Sequence, residues 1–137
     1  MKLTLSDGIL KIIKKKYNFI NNINFLGRVE PADKYFLNSD IILTPNTIDL
    51  GIRVRIITAL GYGCPIVTHY SNKKGIPEIK NKYNALVANS SEKITKHIVE
   101  IYKNLSLKKK ISHNGKKTFK RYFTHDIFLR NFNKLKK

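Results

Sequence analysis

The stretch from residue 44 to residue 68, TPNTIDLGIRVRIITALGYGCPIVT, decides the fold of this chain. Its pattern predicts a loop, then a helix over about residues 52–62, then a short buried strand. Two arginines, Arg53 and Arg55, fall in the first turns of this helix. Because the first turn of a helix has unpaired backbone N–H groups and the positive end of the dipole, the helix start is a candidate phosphate site.

The predicted helix is apolar on one side. Four residues recur at the spacing of a buried helical face: Ile52, Ile56, Ala59 and Leu60. Gly61 and Gly63 follow, and glycines at a helix end suit a left-handed cap. The helix should therefore end at a tight turn that leads directly into the next strand.

On both sides of this stretch, short apolar segments alternate with amphipathic ones. Strands are predicted at residues 2–6, 23–26, 41–43, 65–68 and 85–87, and further helices at about 9–17, 31–38, 91–104, 107–122 and 125–135. Residues 69–74 are predicted to form a polar turn. This alternation predicts an α/β fold, a doubly wound parallel sheet of about five strands with C-terminal helices. In such sheets ligands bind beyond the carboxyl ends of the strands, which is where the loop over residues 44–51 should lie.

Composition limits the class of protein. The 137 residues suit one domain, and a hydrophobic content of 42% excludes a disordered chain. No apolar run approaches the roughly 20 residues that span a bilayer, and the N-terminus lacks the apolar stretch of a signal peptide. We therefore expect a cytoplasmic protein. The one cysteine, Cys64, excludes a disulfide within the chain and reads as a small buried hydrophobe or as a reactive thiol.

The net charge of +18 has two explanations. Basic excess of this size is common in proteins that bind nucleic acid, anionic lipid or phosphorylated substrates. A chain rich in Lys, Asn and Ile and without Trp is also what an AT-rich genome produces by codon bias. The lysines are scattered over every segment rather than forming one stripe, which does not favour a nucleic-acid face.

Six segments, in this order, resemble the C-terminal domain of the group 1 (family 4) glycosyltransferases of the GT-B fold: NINFLGRV, DKYFLNSDIILTP, GIRVRIITALGYGCPIVT, KGIPE, NALVAN and HNGKK. The resemblance runs from the strand at Leu3 to the helix near Phe132. It implies a Rossmann-like half-enzyme that holds a UDP- or GDP-sugar while a partner half, normally N-terminal, holds the acceptor. It also implies sugar transfer with retention at the anomeric carbon and without a metal or other cofactor.

The resemblance also implies roles for particular residues. In this family the helix start binds the donor diphosphate, and here that set would be Gly51, Ile52, Arg53 and Arg55. Fixed N–H dipoles and guanidinium groups stabilise the charge that grows on a departing diphosphate, which agrees with this role. The loop that would lie near the nucleotide base holds Arg28 and Val29. From the residues alone, a solvated basic surface remains the alternative for these arginines.

Two departures from the family pattern affect the expected activity. Members usually carry a glutamate where this chain has Thr58, and that carboxylate accepts hydrogen bonds from the donor ribose. Threonine supplies a hydroxyl without the charge or the second oxygen. The family's other usual glutamate falls at Leu50, beside Asp49, and Asp49 is either a substitute near the donor sugar or a helix N-cap.

The second departure is that the chain starts at a strand inside the family's C-terminal domain. We therefore expect a fragment, one subunit of a split enzyme or a degenerate remnant, whose acceptor-binding Rossmann-like domain is supplied elsewhere or lost. Binding of the nucleotide sugar is expected more than turnover by this chain alone, because chemistry that depends on positioning and exclusion of water needs both halves. No catalytic residue is assigned.

Two further residues are candidates for the vicinity of the donor sugar. His69 follows the strand at residues 65–68 at its ligand-facing end, and Glu78 lies in KGIPE. Their alternatives are an ordinary loop histidine and a surface acid. The four histidines have no metal-ligand spacing, so no metal site is predicted.

Two other functions remain open. The fold could serve as a noncatalytic interaction module for a partner chain. Alternatively, the C-terminal helices could bind nucleic acid or contact an anionic membrane peripherally, since basic residues are interleaved there with Phe119, Tyr122 and Phe123: Lys108–Lys110, Lys116, Lys117, Lys120 and Arg121.

Overall fold

The computed structural model describes residues 3–5, 23–26, 29–48 and 51–135, and the chain forms two compact units, Met1–Lys34 and Tyr35–Lys137. In the first unit, strand β1 (Leu3–Leu5) pairs in parallel with strand β2 (Ile23–Phe25). Both strands were predicted, whereas the helix predicted over residues 9–17 lies outside the described residues. Helix α1 (Asp33–Leu37) follows in the chain.

The second unit is built on a parallel three-stranded sheet. Its strands lie in the order β3 (Ile42–Thr44), β4 (Ile66–His69), β5 (Leu86–Ala88), with helix α2 (Val54–Tyr62) between β3 and β4 in the chain. Helix α3 (Asn72–Gly75) follows β4. Three helices close the chain: α4 (Ser91–Lys103), α5 (Leu105–Tyr122) and α6 (His125–Leu135).

Both faces of this sheet are covered. Ile66 and Val67 are neighbours on β4, and because side chains alternate along a strand they point to opposite faces. Ile66 packs in a cluster with Ile56 and Leu60 of α2, and Val67 packs in a second cluster that includes residues of α4 and α5. The prediction of an α/β fold with a parallel, doubly wound sheet is confirmed, although the five described strands are divided between two sheets.

Helix α2 ends as the glycines predict. Gly63 adopts a left-handed conformation (φ 71°), and its N–H donates to the carbonyl of Leu60 at 3.1 Å while the N–H of Cys64 donates to Ala59 at 2.9 Å. These two hydrogen bonds satisfy carbonyl groups at the end of the helix, and the left-handed turn leads the chain into β4. Cys64 is 6% exposed. The interpretation of this residue as a small buried group is therefore correct.

Two sequence-based expectations are wrong in detail. Ile52 was expected on the buried face of α2, but the helix begins at Val54 and Ile52 is 64% exposed. The polar turn predicted at residues 69–74 contains the short helix α3.

The segment between α3 and β5 is tied to helix α5 by a buried amide. Asn84 is 1% exposed, and its Nδ2 donates to the carbonyl of Glu78 at 2.9 Å and to the hydroxyl of Thr118 at 2.8 Å. Its Oδ1 accepts the N–H of Lys80 at 2.8 Å. All the polar atoms of this amide are thus used without water.

The one-domain organisation expected over residues 1–137 stays a prediction. In the part of the chain that the structure describes, no helix has the length and the apolar character needed to cross a membrane.

Candidate functional site

The carboxyl ends of β3 and β4 hold two buried hydroxyl groups. The strand register places Thr44 beside Thr68, and the Thr44 hydroxyl donates to Oγ1 of Thr68 at 2.8 Å. Thr68 Oγ1 in turn donates to the backbone carbonyl of Thr44 at 3.3 Å. This edge of the sheet therefore ends in a fixed polar pair rather than in apolar side chains.

Asn72 extends this polar pair toward the surface. Its side chain is 3% exposed, and its Nδ2 donates to Thr68 Oγ1 at 3.0 Å and to the Thr44 carbonyl at 3.3 Å. Its Oδ1 accepts the Nε–H of Arg53 at 3.3 Å. A guanidinium group is thereby connected to the end of the sheet.

Arg53 lies at the start of helix α2. It is the N-cap residue, with extended backbone angles, and its carbonyl accepts the first helical hydrogen bond, from Ile56 N–H at 2.9 Å. Its Nη2 donates to the carbonyl of Ile48 at 3.2 Å. Arg55 lies in the first turn of the helix and is exposed. The structure thus places both arginines at a helix N-terminus beside the carboxyl edge of a parallel sheet, an arrangement that favours anions.

The described residues between β3 and α2, 45–48 and 51–53, are called the edge loop below. Gly51 in this loop has φ +54°, a conformation that L side chains rarely adopt. Gly75, at the end of α3, packs directly on it: a Cβ on Gly75 would lie 2.2 Å from the carbonyl oxygen of Gly51. Two glycines are therefore required, one for the shape of the loop and one for the close approach of α3.

His69 and Ser71 hold the beginning of the edge loop. The Ser71 hydroxyl donates to the carbonyl of Asn46 at 2.8 Å, and the Ser71 N–H donates to Nδ1 of His69 at 3.2 Å. Because a backbone N–H can only donate, Nδ1 is an acceptor and the neutral ring carries its hydrogen on Nε2. His69 is half-buried and is the last residue of β4, at the carboxyl edge of the sheet, and its role near a donor sugar stays a prediction.

Thr58 is occupied within its own helix. Its hydroxyl donates to the carbonyl of Val54, four residues earlier, at 3.0 Å. This local bond uses the single hydrogen of the hydroxyl. Thr58 can therefore act toward a ligand as an acceptor only, and it lacks the charge of a carboxylate.

The remaining candidates are not all joined to the edge loop. Arg28, Asp49 and Leu50 lie outside the described residues. Val29 belongs to the first unit and is half-buried. Glu78 is half-buried, and its backbone carbonyl accepts a hydrogen bond from the Asn84 amide. The roles suggested for these residues stay predictions.

Sequence reasoning missed Ser71, Asn72 and Gly75 as parts of the site. Ser71 and Asn72 lie in the polar run that was predicted to form a turn, and Gly75 lies in KGIPE, where no local pattern indicates a close contact. The available signal was the pair Thr44 and Thr68, the first directly after a predicted strand and the second at the end of one, since parallel strands bring their carboxyl ends to one edge.

Metal binding and thiol chemistry depend on His, Cys, Asp and Glu side chains. Among residues 3–5, 23–26, 29–48 and 51–135, no group of three or more His, Cys, Asp or Glu side chains could hold a metal ion. Burial raises the pKa of the Cys64 thiol, an effect that the charge of Lys116 partly opposes. The Sγ–H of Cys64 donates to the carbonyl of Phe36 at 2.6 Å, so this thiol is a packed group rather than a nucleophile.

Comparison with known proteins gives one family and several related folds. The family model for glycosyl transferases group 1 matches residues 6–104. No protein of curated function matches the sequence.

Solved structures match over nearly the whole chain. Anabaena HepE (Alr3699), crystallised with UDP, matches with a TM-score of 0.86 at 15% identity, over 99% of this chain and 41% of its own. A glycosyltransferase from Rickettsia africae matches with a TM-score of 0.78 at 17% identity, over 98% of this chain and 39% of its own. The C-terminal domain of the group 1 glycosyl transferase LpcC from Francisella tularensis matches with a TM-score of 0.69 at 17% identity, over 85% and 61% respectively. At these identities the likeness concerns the fold, and this chain spans about two fifths of the length of HepE.

Proposed function

Because the chain belongs to the group 1 glycosyltransferases, we propose that it is the donor-binding half of a retaining, nucleotide-sugar-dependent glycosyltransferase. The observation that carries this proposal is Arg53, fixed at the N-terminus of α2 by Asn72 and by the carbonyl of Ile48. A positive group that is held still at a sheet edge suits a diphosphate better than a mobile surface arginine would.

The diphosphate would bind at the edge loop between Gly51 and Arg55. The amides of Val54 and Arg55 precede the first helical hydrogen bond, and the guanidinium of Arg53 lies beside them. When the bond between the sugar and the diphosphate breaks, negative charge grows on the leaving oxygen. These donors stabilise that charge without a metal ion, because they are oriented before the reaction begins.

The ribose would be held more weakly than in relatives that carry a glutamate. The Thr58 hydroxyl gives its hydrogen to Val54 and offers only lone pairs to a ribose hydroxyl. Affinity should therefore depend on the diphosphate more than on the nucleoside. Arg28 and Val29 are proposed to face the base, and Asp49, Leu50, His69 and Glu78 are proposed for the vicinity of the sugar.

A uracil nucleotide is the first donor to test, because the matching HepE structure contains UDP. GDP-sugars remain the second. Transfer to a glycan, lipid or other acceptor would need an acceptor-binding Rossmann-like partner, a proposal supported by the greater length of HepE and the Rickettsia enzyme.

The test is calorimetric titration of the chain with UDP, UMP and uridine and with GDP, GMP and guanosine. We expect UDP or GDP to bind, the matching monophosphate to bind more weakly and the nucleoside to bind weakest. Arg53→Ala should lower the affinity for the nucleoside diphosphate by about tenfold or more, which is the effect of losing a charge-assisted hydrogen bond.

Arg130→Ala is the matched control, because it removes the same charge from an exposed position on α6. It should leave the affinity for UDP unchanged. A folded chain that binds no nucleotide would overturn the proposal. An equal loss of UDP affinity in Arg53→Ala and Arg130→Ala would show that the net charge of the chain, and not the position of Arg53, determines binding.

A second function, contact with an anionic membrane surface, is favoured by helix α5. Its sequence contains seven basic residues and no acidic one, and a groove of about 340 Å³ is lined by Lys108, Lys109, Lys116 and His113. Of the three aromatic residues in this region, Phe119 and Phe123 pack against the core, whereas Tyr122 is exposed. Electrostatic attraction would therefore contribute more than insertion of side chains.

Vesicle sedimentation separates this second function from the first. We expect binding to phosphatidylserine vesicles at low salt, loss of binding at high salt, and none to phosphatidylcholine vesicles. The double variant Lys109→Glu/Lys116→Glu should lose this binding and keep its affinity for UDP. Equal binding by wild type and variant would reject the role of α5.

A further inference from the structure

We infer that Asn72 is a positioning residue: it orients the Arg53 guanidinium for the donor diphosphate. This inference rests on the proposed function and adds a residue that the sequence pattern did not indicate. Asn72 would not touch the nucleotide in this role. It would act by holding the Arg53 guanidinium in the one orientation that the hydrogen bonds of the Asn72 amide allow.

The orientation of the Asn72 amide is determined by its partners. The Nε of Arg53 carries a hydrogen and can only donate, so it must face Oδ1. The carbonyl of Thr44 can only accept, so it must face Nδ2. A flipped amide would place two donors together on one side and two acceptors together on the other. The amide therefore has one stable orientation.

The support for Asn72 is the sheet itself. Nδ2 also donates to Thr68 Oγ1, which accepts the hydroxyl hydrogen of Thr44 across the β3–β4 pair. All three side chains are buried, with exposures of 3% or less. A hydrogen-bonded chain thus runs from the ends of two strands to the guanidinium.

Arg53 receives a second restraint from the edge loop. Its Nη2 donates to the carbonyl of Ile48, while Nε donates to Asn72. Two bonds from different nitrogen atoms fix the plane of the guanidinium, whereas either bond alone would let it rotate. The hydrogens of Nη1 and the second hydrogen of Nη2 are the donors with which this plane would bind a diphosphate oxygen.

The alternative is that Asn72 only stabilises the fold. A double-mutant cycle distinguishes the two roles, because a residue that acts through Arg53 should have no effect on UDP once Arg53 is absent. UDP affinity is measured for the wild type, Asn72→Ala, Arg53→Ala and the double variant. We expect Asn72→Ala to lower the affinity for UDP about tenfold, and we expect the double variant to bind UDP with the same affinity as Arg53→Ala.

Two additional measurements keep the test decisive. Thr118→Val is the structural control, because it removes a buried hydroxyl from the separate Asn84 network. It should lower stability and leave UDP affinity unchanged. The Nε–H signal of Arg53 in a nitrogen-15 spectrum should be sharp in the wild type and broadened by solvent exchange in Asn72→Ala, with or without UDP. If Asn72→Ala does not fold, Asn72→Ser replaces it in every measurement.

The inference is overturned if Asn72→Ala weakens UDP equally in the presence and absence of Arg53, or if it leaves UDP affinity unchanged. A wild-type chain that binds no nucleotide overturns the proposed function and the ligand role of Asn72 together. In that case the spectrum still shows whether Asn72 restrains Arg53, so the two failures are distinguishable.

Discussion

At the scale of single residues, Gly75 controls the shape of the edge loop. A methyl group at this position would overlap the backbone of Gly51, which is not a flexible neighbour that could move aside. We expect Gly75→Ala to displace the Gly51–Ile52 peptide. The affinity for UDP should then fall by about tenfold or more, because a displacement of about an ångström is enough to misplace binding groups. Calorimetric titration with UDP measures this effect.

Gly115→Ala is the control for that substitution. Its added methyl group would lie 3.4 Å from Leu60 Cδ2, an ordinary contact, in the middle of helix α5. The change should raise the free energy of unfolding by up to about 1 kcal/mol, because glycine is the poorer helix former. Unchanged UDP affinity in Gly75→Ala would contradict the role of the glycine pair.

Cys64 makes stability depend on pH in the alkaline range. Burial raises the pKa of its thiol above the ordinary value of 9.0, so the unfolded chain loses this proton at a lower pH than the folded chain. Its contribution is therefore complete below pH 9 and is lost as the pH rises toward the folded pKa.

Urea unfolding of wild type and Cys64→Ala at several pH values measures this loss. Above pH 9 the stability difference between them should fall by at most about 1.4 kcal/mol per pH unit. Lysines and tyrosines titrate in both proteins and cancel in the comparison. A difference that is constant with pH would contradict the burial of the thiol.

At the scale of elements, the Asn84 amide joins the segment before β5 to helix α5. Removal of its side chain takes the Asn84 partner from the Lys80 N–H and the Glu78 carbonyl, while the Thr118 hydroxyl keeps its bond to the carbonyl of Asn114. We expect Asn84→Ala to lower the free energy of unfolding by about 2–4 kcal/mol, since buried polar groups are costly when unpaired.

Chemical denaturation monitors this prediction, and Asn89→Ala, at an exposed position after β5, provides the comparison. That variant should change stability by less than about 0.5 kcal/mol. Similar losses in the two variants would mean that the buried network contributes little.

The sequence predicted the regular elements well where periodicity is strong. The strands at β3, β4 and β5 and the helices α4 and α6 lie within one or two residues of their predicted bounds, because apolar spacing and the Ser90 N-cap mark them. The start of α2 was placed too early, since Ile52 continues the apolar spacing for one turn beyond the helix. Helix α3 was missed because four residues are too few for a periodic signal.

The sequence indicated the site residues that are marked by local spacing and missed those that reach the site through contacts between distant segments. Arg53 and Arg55 are adjacent to a recognisable helix start, so local spacing indicates them. Asn72 becomes part of the site only through the register that pairs Thr44 with Thr68, a nonlocal fact. Likewise, the need for glycine at position 75 arises from contact with Gly51, which no local pattern encodes.

At the scale of the whole molecule, the net charge of +18 should act against folding. Like charges repel in the compact state, and salt screens this repulsion. We expect the melting temperature to rise by several degrees when NaCl is increased from about 0.05 M to about 0.5 M.

The charge-reversal variant Lys117→Glu/Lys120→Glu tests this explanation. Both lysines are exposed on α5, and each reversal lowers the net charge by two. The rise with salt should be smaller in this variant. If the melting temperature rises equally with salt in the wild type and the variant, the cause is the general effect of salt on apolar surface and not charge repulsion.

The packing of Gly75 on Gly51 also affects how the chain reaches its folded state. The contacts that shape the edge loop join residues far apart in the sequence, since Arg53 and Asn72 are 19 positions apart and Thr44 and Asn72 are 28 apart. Each contact requires closure of a long loop, whose entropic cost is met before the contact stabilises the chain, and contacts of this kind form slowly. We therefore expect the backbone that would meet the diphosphate to form late in folding, after the local helices.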